Sequence, residues 1–142
     1  MKILFAASEV APFIKTGGLA DVAGSLPQAL AGAGHEVTVV LPLYQGIGPA
    51  WREQMTFLKW FNIPLSWRQA YCGVFQLERD GVTYWFVDNE YYFKREQIYG
   101  HYDDCERFAF FSRAVLALAE HLDYAPDILH CNDWQTALVP VY

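Results

Sequence analysis

The sequence predicts an α/β fold built on a parallel sheet. The chain opens on a short apolar run, 3–7, of the kind that forms a buried strand. A glycine-containing segment, 15–18, comes next and leads into apolar residues at helical spacing. A β-branched run, 37–41, then completes a strand–helix–strand unit. The expected architecture is therefore a Rossmann-like parallel sheet with flanking helices and, further along the chain, a β-hairpin insertion.

The segment Lys15-Thr16-Gly17-Gly18 is the first candidate ligand site. It lies where a strand hands over to a helix, and ligands of open α/β sheets bind at that edge. Glycines let the backbone approach a ligand, and the first N–H groups of a helix have no partner within it. Lys15 adds a positive charge that suits a diphosphate. The alternative is a flexible turn beside a solvated lysine. No dinucleotide or P-loop fingerprint occurs, which disfavours those ligands.

The first helix has a second candidate start inside it. Ser25 followed by Leu26 and Pro27 is typical of an N-cap with proline in the first turn, which would leave 19–24 as a separate turn. The helix is expected to end near 32–34, where Gly34 can adopt the left-handed conformation.

The middle of the chain is predicted to form the β-hairpin insertion. Runs at 56–58, 71–77 and 82–87 have strand character, and Asp80-Gly81 is a strong hairpin turn between the last two. Its aromatic residues are assigned to the core, with a sugar-stacking surface as the alternative; they include Trp51, Trp60, Trp67 and Trp85. The tyrosines that follow either line a cleft or pack a long loop; they are Tyr91, Tyr92, Tyr99 and Tyr102.

A long helix is predicted over 104–122, with Asp103 or Asp104 as its cap. Its buried stripe comprises Phe108, Phe111, Ala114, Val115, Leu118 and Leu122. Arg107, Arg113 and Glu120 are expected to face elsewhere. A further parallel strand is predicted over 127–131, and its His130 is interpreted as a hydrogen-bonded core residue rather than a general base.

Asn132, Asp133 and Trp134 follow that strand directly. A polar pair in this position is either a helix cap or part of a ligand site. Because the carboxyl ends of parallel strands meet at one edge of the sheet, these residues are expected beside the same cleft as Lys15.

Composition limits the remaining possibilities. The chain has 142 residues, of which 54% are hydrophobic and 18% charged, as in one globular domain. No apolar run approaches the ~20 residues that cross a bilayer, and no signal peptide is evident, so a cytoplasmic location is expected. The net charge of −6 disfavours nucleic acid as a partner. Three widely spaced cysteines are expected to be free, buried thiols, and no metal site is expected.

Several blocks of the sequence resemble the amino terminus of bacterial glycogen synthases and plant starch synthases. These blocks lie at residues 1–13, 15–22, 35–37, 42–44 and 132–138. The resemblance implies a retaining glucosyltransferase of the two-Rossmann-domain, GT-B type. Its implied donor is ADP-glucose, or with less support UDP-glucose, and its implied acceptor is the non-reducing end of an α-1,4-glucan. No cofactor is implied.

The resemblance also implies a domain organisation. Residues 1–142 would form an amino-terminal starch synthase catalytic domain that is incomplete at its carboxyl end, with the second nucleotide-binding domain absent from this chain. Such a fragment is expected to be inactive alone. The alternative is a stand-alone module of the same fold that binds a nucleotide sugar or carbohydrate without transferring it.

The resemblance finally implies roles for individual residues. Asp133 is expected to be the catalytic residue in the sugar-binding cleft. Glu9 could contact the acceptor glucan or order the glycine segment, and the second role is favoured. The full set of expected substrate-binding residues is Lys15, Gly17, Gly18, Glu9 and Asn132.

Overall fold

The computed structural model describes residues 1–142 as a six-stranded sheet with helices packed against it. The strands are β1 (Lys2–Ala6), β2 (Glu36–Pro42), β3 (Thr56–Leu65), β4 (Arg68–Arg79), β5 (Val82–Asp88) and β6 (Ile128–Cys131). The helices are α1 (Gly18–Gly32), α2 (Pro49–Arg52), α3 (Glu90–Phe93) and α4 (Asp104–His121), and a 3-10 turn spans Trp134–Thr136.

The sheet confirms the predicted α/β class. Its strand order is β3-β4-β5-β2-β1-β6, and the pairs β1–β2, β1–β6 and β2–β5 are parallel. β3 and β4 join antiparallel beside β5 as the expected hairpin insertion. β1 is a central strand with a parallel neighbour on each side, and four of its five residues are buried, as expected for a parallel sheet covered on both faces. The carboxyl ends of β1 and β6 are therefore adjacent.

Helix α1 is continuous, and the predicted second start at Ser25 is wrong. Ser25 does not cap a helix, because its Oγ donates a hydrogen bond back to the carbonyl of Asp21 at 2.8 Å. Pro27 lies inside the helix and is buried together with Ala20 and Ala23. Burial of that face outweighs the hydrogen bond that the proline cannot donate. The helix ends as predicted, with Gly34 at a φ of 96°.

Gly24 allows α1 to pack closely against the segment that follows β1. A Cβ added at Gly24 would lie 2.6 Å from the backbone oxygen of Ala11. Gly24→Ala is therefore expected to destabilise the protein by about 1–3 kcal/mol, since backbone would have to move. Gly32, in the same helix, has nothing within 4 Å of that position. Gly32→Ala is the matched control and should stabilise by roughly 0.5–1 kcal/mol. Chemical denaturation measures both, and equal effects would contradict this packing role.

The insertion contains two tight turns, of which the sequence revealed one. Asp80 and Gly81 both have positive φ, as the predicted hairpin between β4 and β5 requires. The turn between β3 and β4, where Ser66 has a φ of 57°, was not predicted, and β3 is longer than expected. Serine gives little warning of a left-handed conformation, because glycine and asparagine are the usual signals.

The assignment of the tryptophans to the core is only partly correct. Trp85 is buried and Trp51 is half-buried, whereas Trp60 is 57% exposed and Trp67 is 85% exposed. The exposed pair lies on the β3–β4 hairpin, where β3 is an edge strand; its buried Phe61 packs on α4, and Trp60 lies on the opposite, uncovered face. Aromatic residues favour strands whether or not the strand is covered, so composition could not separate the two cases.

Helix α4 has the predicted buried stripe, although Leu122 follows its last residue. Arg107 was expected to face elsewhere, which is wrong, because its side chain is fully buried. Its guanidinium donates to the carbonyls of Tyr92 and Ile98 and to the carboxylate of Asp104, so polar partners stabilise the buried charge. Asp103 occupies the N-cap position without a side-chain cap bond and instead pairs with Arg95.

The three cysteines are free, but only Cys72 is buried. Burial raises the pKa of the Cys72 thiol to about 12. Cys105 is exposed and Cys131 is half-buried, which corrects the expectation of three buried thiols. None of the helices is both long and apolar enough to span a bilayer.

Candidate functional site

A small open pocket brings the two predicted segments together at the carboxyl edge of the sheet. The pocket has a volume of about 230 Å³. The glycine segment after β1 forms one wall, and the turn after β6 forms another, as expected from the adjacency of these strands. The residues lining it are Glu9, Thr16, Gly17, Gly18, Leu19, Tyr99, Asp133 and Gln135.

The glycine segment presents the amino terminus of α1 to this pocket. Gly17 is the N-cap residue and supplies no side chain that could occupy the helix end. The backbone N–H groups of Gly18 and Leu19 have no acceptor in the protein, because the helix begins at Gly18. Two free amide donors at a helix amino terminus favour binding of an anion.

Glu9 holds the glycine segment in place. Its side chain is 2% exposed and accepts hydrogen bonds from the Gly17 amide at 3.0 Å and the Thr16 hydroxyl at 2.5 Å. The Tyr99 hydroxyl adds a third donor at 2.9 Å. These contacts are those of the loop-ordering role that the sequence favoured for Glu9. Substrate contact by this carboxylate stays a prediction.

Lys15 forms an ion pair that the sequence analysis did not anticipate. Its ammonium lies 2.8 Å from both carboxylate oxygens of Asp21, in the first turn of α1. Both side chains are more than half exposed, so the pair contributes only about 0–1 kcal/mol and can open at little cost. Lys15 is the first residue of the glycine segment but is not among the residues lining the pocket.

Asp133 combines a strained backbone with a cap. Its φ of 63° and ψ of −176° fall in a region that is almost restricted to glycine. Oδ1 accepts a hydrogen bond from the Trp134 amide at 2.7 Å, so Asp133 begins the 3-10 turn. Oδ2 forms no hydrogen bond within the protein. The cap and ligand interpretations are therefore compatible, because each uses a different oxygen.

Asn132 and His130 are occupied by structural contacts. The Asn132 amide donates to the carbonyl of Ala6 at 2.9 Å and so joins the ends of β6 and β1. Asn132 does not line the pocket. The ring of His130 packs edge-on against Phe5 but forms no hydrogen bond, and the residue is only half-buried, so the expectation of a hydrogen-bonded core residue is wrong.

Gln135 and Tyr99 line the pocket, although neither is among the expected substrate-binding residues. Gln135 is 4% exposed, and its Oε1 has no donor within the protein. Since buried amide oxygens are nearly always hydrogen-bonded, this one is suited to receive a donor from a ligand. Tyr99, for which lining a cleft was one of two alternatives, comes from a loop far from both motifs in sequence, so no local pattern could decide between them. Burial raises the pKa of its hydroxyl.

This pocket is not the largest in the protein. A larger one, of about 340 Å³, lies beside β4 and is lined by none of the predicted site residues. The smaller pocket is the candidate site because free helix amides, an amide oxygen without a hydrogen-bond donor and a strained aspartate meet in it.

Comparisons with known proteins identify the family. The model of the starch synthase catalytic domain matches residues 2–142. A glycogen synthase from Clostridium botulinum (strain Alaska E43 / Type E3) is 57% identical over 141 residues, and one from Geobacillus stearothermophilus is 55% identical over 140 residues. Each alignment covers 99% of this chain, but 30% and 29% of the respective relatives. The chain therefore spans about a third or less of the length of these curated relatives.

A solved structure agrees with the sequence comparisons. The catalytic domain of Starch Synthase IV from Arabidopsis thaliana, bound to ADP and acarbose, superposes with a TM-score of 0.86 at 33% sequence identity. The match covers 97% of this chain and 29% of the Arabidopsis chain. Sequence and fold thus point to the same family, and we conclude that this chain belongs to the starch synthase catalytic domain family.

Proposed function

We propose that this chain is the amino-terminal part of a retaining glucosyltransferase. The enzyme would transfer glucose from ADP-glucose, or less readily UDP-glucose, to the non-reducing end of an α-1,4-glucan. One observation carries the proposal: the free amides of the glycine segment and the carboxylate of Asp133 share a single pocket at the carboxyl edge of the sheet. An anionic leaving group and a sugar could therefore bind side by side.

The relatives support the substrate class. The similar proteins from Clostridium botulinum and Geobacillus stearothermophilus are glycogen synthases, and the Arabidopsis structure contains ADP and acarbose. A nucleoside diphosphate is the product expected when a nucleotide sugar gives up its sugar. We therefore take ADP-glucose as the first donor to test.

The donor diphosphate would bind at the amino terminus of α1. The Gly18 and Leu19 amides supply two hydrogen-bond donors, and Lys15 can leave Asp21 to supply a full positive charge. Negative charge on the diphosphate grows as its bond to the glucose breaks. Fixed donors at this position stabilise the transition state more than the ground state and so accelerate the reaction.

The sugar would bind at the opposite wall. Asp133 Oδ2 is free to accept a hydrogen bond from a glucose hydroxyl, while Oδ1 is held by the Trp134 amide. Oε1 of Gln135, which has no donor within the protein, can accept a hydrogen bond from a second hydroxyl. Sugars carry many hydroxyl donors, so both acceptors would be satisfied by a glucosyl group. A glycine at this position would relieve the backbone strain but would also remove the carboxylate that the sugar needs. The strain therefore accompanies the proposed role of Asp133.

Retention of the anomeric configuration requires no protein nucleophile in this scheme. The acceptor hydroxyl attacks the glucose carbon from the face on which the diphosphate departs, and its proton passes to the departing phosphate oxygen. The bond from carbon to phosphate oxygen breaks and the bond from carbon to acceptor oxygen forms. The chain's own contribution is to position the sugar and to stabilise the developing charge.

We infer that residues 1–142 form part of an amino-terminal domain and that a second nucleotide-binding domain belongs to the complete, cytoplasmic enzyme. The relatives are about three times as long as this chain. β6 is an edge strand with exposed Ile128 and Leu129, so it can accept a further strand. Transfer of labelled glucose to glycogen by the full-length protein, with ADP-glucose and UDP-glucose compared, tests the proposed function directly.

The 142-residue chain alone is expected to show no synthase activity. A second domain would have to supply the remaining contacts to the nucleotide and close the cleft against water. The measurement is incorporation of labelled glucose into glycogen, with the full-length protein as the positive control. Robust incorporation by the short chain would contradict the proposed organisation. Glucan binding without transfer by the full-length protein would instead indicate a binding module.

A further inference from the structure

Tyr99 connects the glycine segment to a distant loop. Its hydroxyl lies 2.5 Å from Ser8 Oγ and 2.9 Å from Glu9 Oε2, and Glu9 in turn binds Thr16 and Gly17. Ser8 and Glu9 are buried, so water does not compete readily for these bonds. Tyr99 thus lies two hydrogen bonds away from the backbone of the glycine segment.

The chemistry of these groups sets the direction of the bonds. A carboxylate only accepts hydrogen bonds, so the single proton of the Tyr99 hydroxyl is donated to Glu9. Ser8 must then donate its proton to the Tyr99 oxygen. Glu9 receives donors from Tyr99, Thr16 and Gly17, and its carboxylate is fixed from several sides. Loss of the tyrosine hydroxyl would remove one of these restraints.

The ring of Tyr99 reaches the other wall of the pocket. It lies 6.2 Å from the Trp134 ring, and both rings contact Phe108 of α4, at 5.9 Å and 5.2 Å between centroids. Trp134 directly follows Asp133, whose Oδ1 its amide holds. Tyr99 therefore contacts both Glu9, which holds the wall formed by the glycine segment, and Trp134, which holds the wall that contains Asp133.

The loop that carries Tyr99 is itself anchored. Buried Arg107 binds the carbonyl of Ile98, the residue before Tyr99, at 3.0 Å. Asp104 accepts from the amides of Gly100 and His101, the two residues after it, at 2.9 Å and 3.1 Å. The backbone on both sides of Tyr99 is fixed to α4, so its hydroxyl has a defined position.

We propose that Tyr99 is a positioning residue that keeps the glycine segment in its donor-binding conformation by fixing Glu9. This inference rests on the proposed function, because it names how the donor wall is held. It assigns to Tyr99 an indirect role, through Glu9, and no direct contact with the substrate. Loss of the hydroxyl lowers the fraction of molecules whose glycine segment can bind the donor, and the apparent affinity falls by that fraction.

Tyr99→Phe in the full-length protein tests this role, because it removes the hydroxyl and keeps the ring. The donor KM should rise about 10-fold while kcat stays within about twofold, since a bound donor reaches the same transition state. Amide exchange at Gly17 should accelerate about 10-fold. Tyr102→Phe is the matched control, because Tyr102 is 97% exposed in the same loop and forms no hydrogen bond. It should change neither quantity.

A double variant separates this role from direct contact with the donor. Glu9→Gln should raise the donor KM, and adding Tyr99→Phe should raise it no further, because both changes break the same chain of bonds. Additive effects would overturn the proposal and place Tyr99 on the substrate. An unchanged donor KM with lowered thermal stability in Tyr99→Phe would also overturn it, by making the residue merely structural.

The exchange measurement remains informative if the proposed function is wrong. Absence of glucosyl transfer in the unmodified full-length protein would contradict the proposed function alone. Faster amide exchange at Gly17 in Tyr99→Phe, but not in Tyr102→Phe, would still support the link from Tyr99 to the glycine segment. Unchanged exchange would overturn that link whatever the activity.

Discussion

Lys15→Ala in the full-length protein is expected to lower kcat/KM for the nucleotide-sugar donor roughly 30-fold to 1,000-fold, or ~2–4 kcal/mol. In the proposed function, the ammonium would stabilise the charge that develops on the departing diphosphate. A contact that strengthens in the transition state lowers kcat as well as kcat/KM, whereas a plain binding contact raises KM alone. Steady-state kinetics with ADP-glucose and UDP-glucose measure the difference.

The structure explains why this substitution should leave the fold intact. The only partner of the Lys15 ammonium is Asp21, and both side chains are more than half exposed. Lys15→Arg should recover only part of the lost rate, because a planar guanidinium cannot replace a compact ammonium at one point. Lys94→Ala is a matched control, since Lys94 is an exposed lysine paired with Glu90. Unchanged donor kinetics in Lys15→Ala would make Lys15 an ordinary surface residue.

Asp133→Asn is expected to lower kcat roughly 100-fold to 1,000-fold, about 2.7–4 kcal/mol, with little change in stability. The amide keeps the shape of the side chain and an oxygen that can accept from the Trp134 amide. It loses the charge with which the free carboxylate oxygen would hold a sugar hydroxyl. Single-turnover kinetics and thermal unfolding measure the two effects separately. Wild-type turnover in the asparagine variant would exclude a catalytic role for the Asp133 charge.

Asp133→Gly should show that the backbone strain affects stability, whereas the carboxylate is needed for activity. Asp133→Gly relieves strain of about 1–3 kcal/mol and loses a cap of about 1 kcal/mol, so stability should stay or rise while activity is lost. Asp123→Gly is the control, because Asp123 has a φ of 53° in an exposed turn away from the pocket. It should stabilise by about 1 kcal/mol without loss of activity. Strong destabilisation by Asp133→Gly would show that the cap outweighs the strain.

The parts of the fold that the sequence predicted correctly all have local signals. The apolar run of β1 and the β-branched run of β2 predicted strands, and Asp80-Gly81 predicted a hairpin turn. The helix start assigned to Ser25 failed for a reason that local patterns cannot reveal. A serine two residues before a proline is typical of a cap, but burial of one helical face against the sheet kept α1 continuous.

Local signals also predicted the two segments that form the candidate site, but not the residues that hold those segments in place. The glycine segment and Asp133 each follow a strand, so the rule for parallel sheets predicted that they would meet, and they line one pocket. The partners of these residues were not predictable. Asp21 neutralises Lys15 across a turn, and Tyr99 supports Glu9 from 90 positions away in sequence. Such pairings depend on how loops are placed, which no periodicity encodes.

The sequence by itself determined the α/β class, the family and the two segments that form the pocket, because strand periodicity, glycine turns and motif blocks are properties of neighbouring residues. Only the tertiary structure decided which charges are paired, which aromatic residues are exposed and which polar atoms lack a partner. Buried Arg107 shows the reason. An arginine on a helix is ordinarily solvated, and its burial is stable only because folding brings the carbonyls of Tyr92 and Ile98 within 3.0 Å, beside the carboxylate of Asp104.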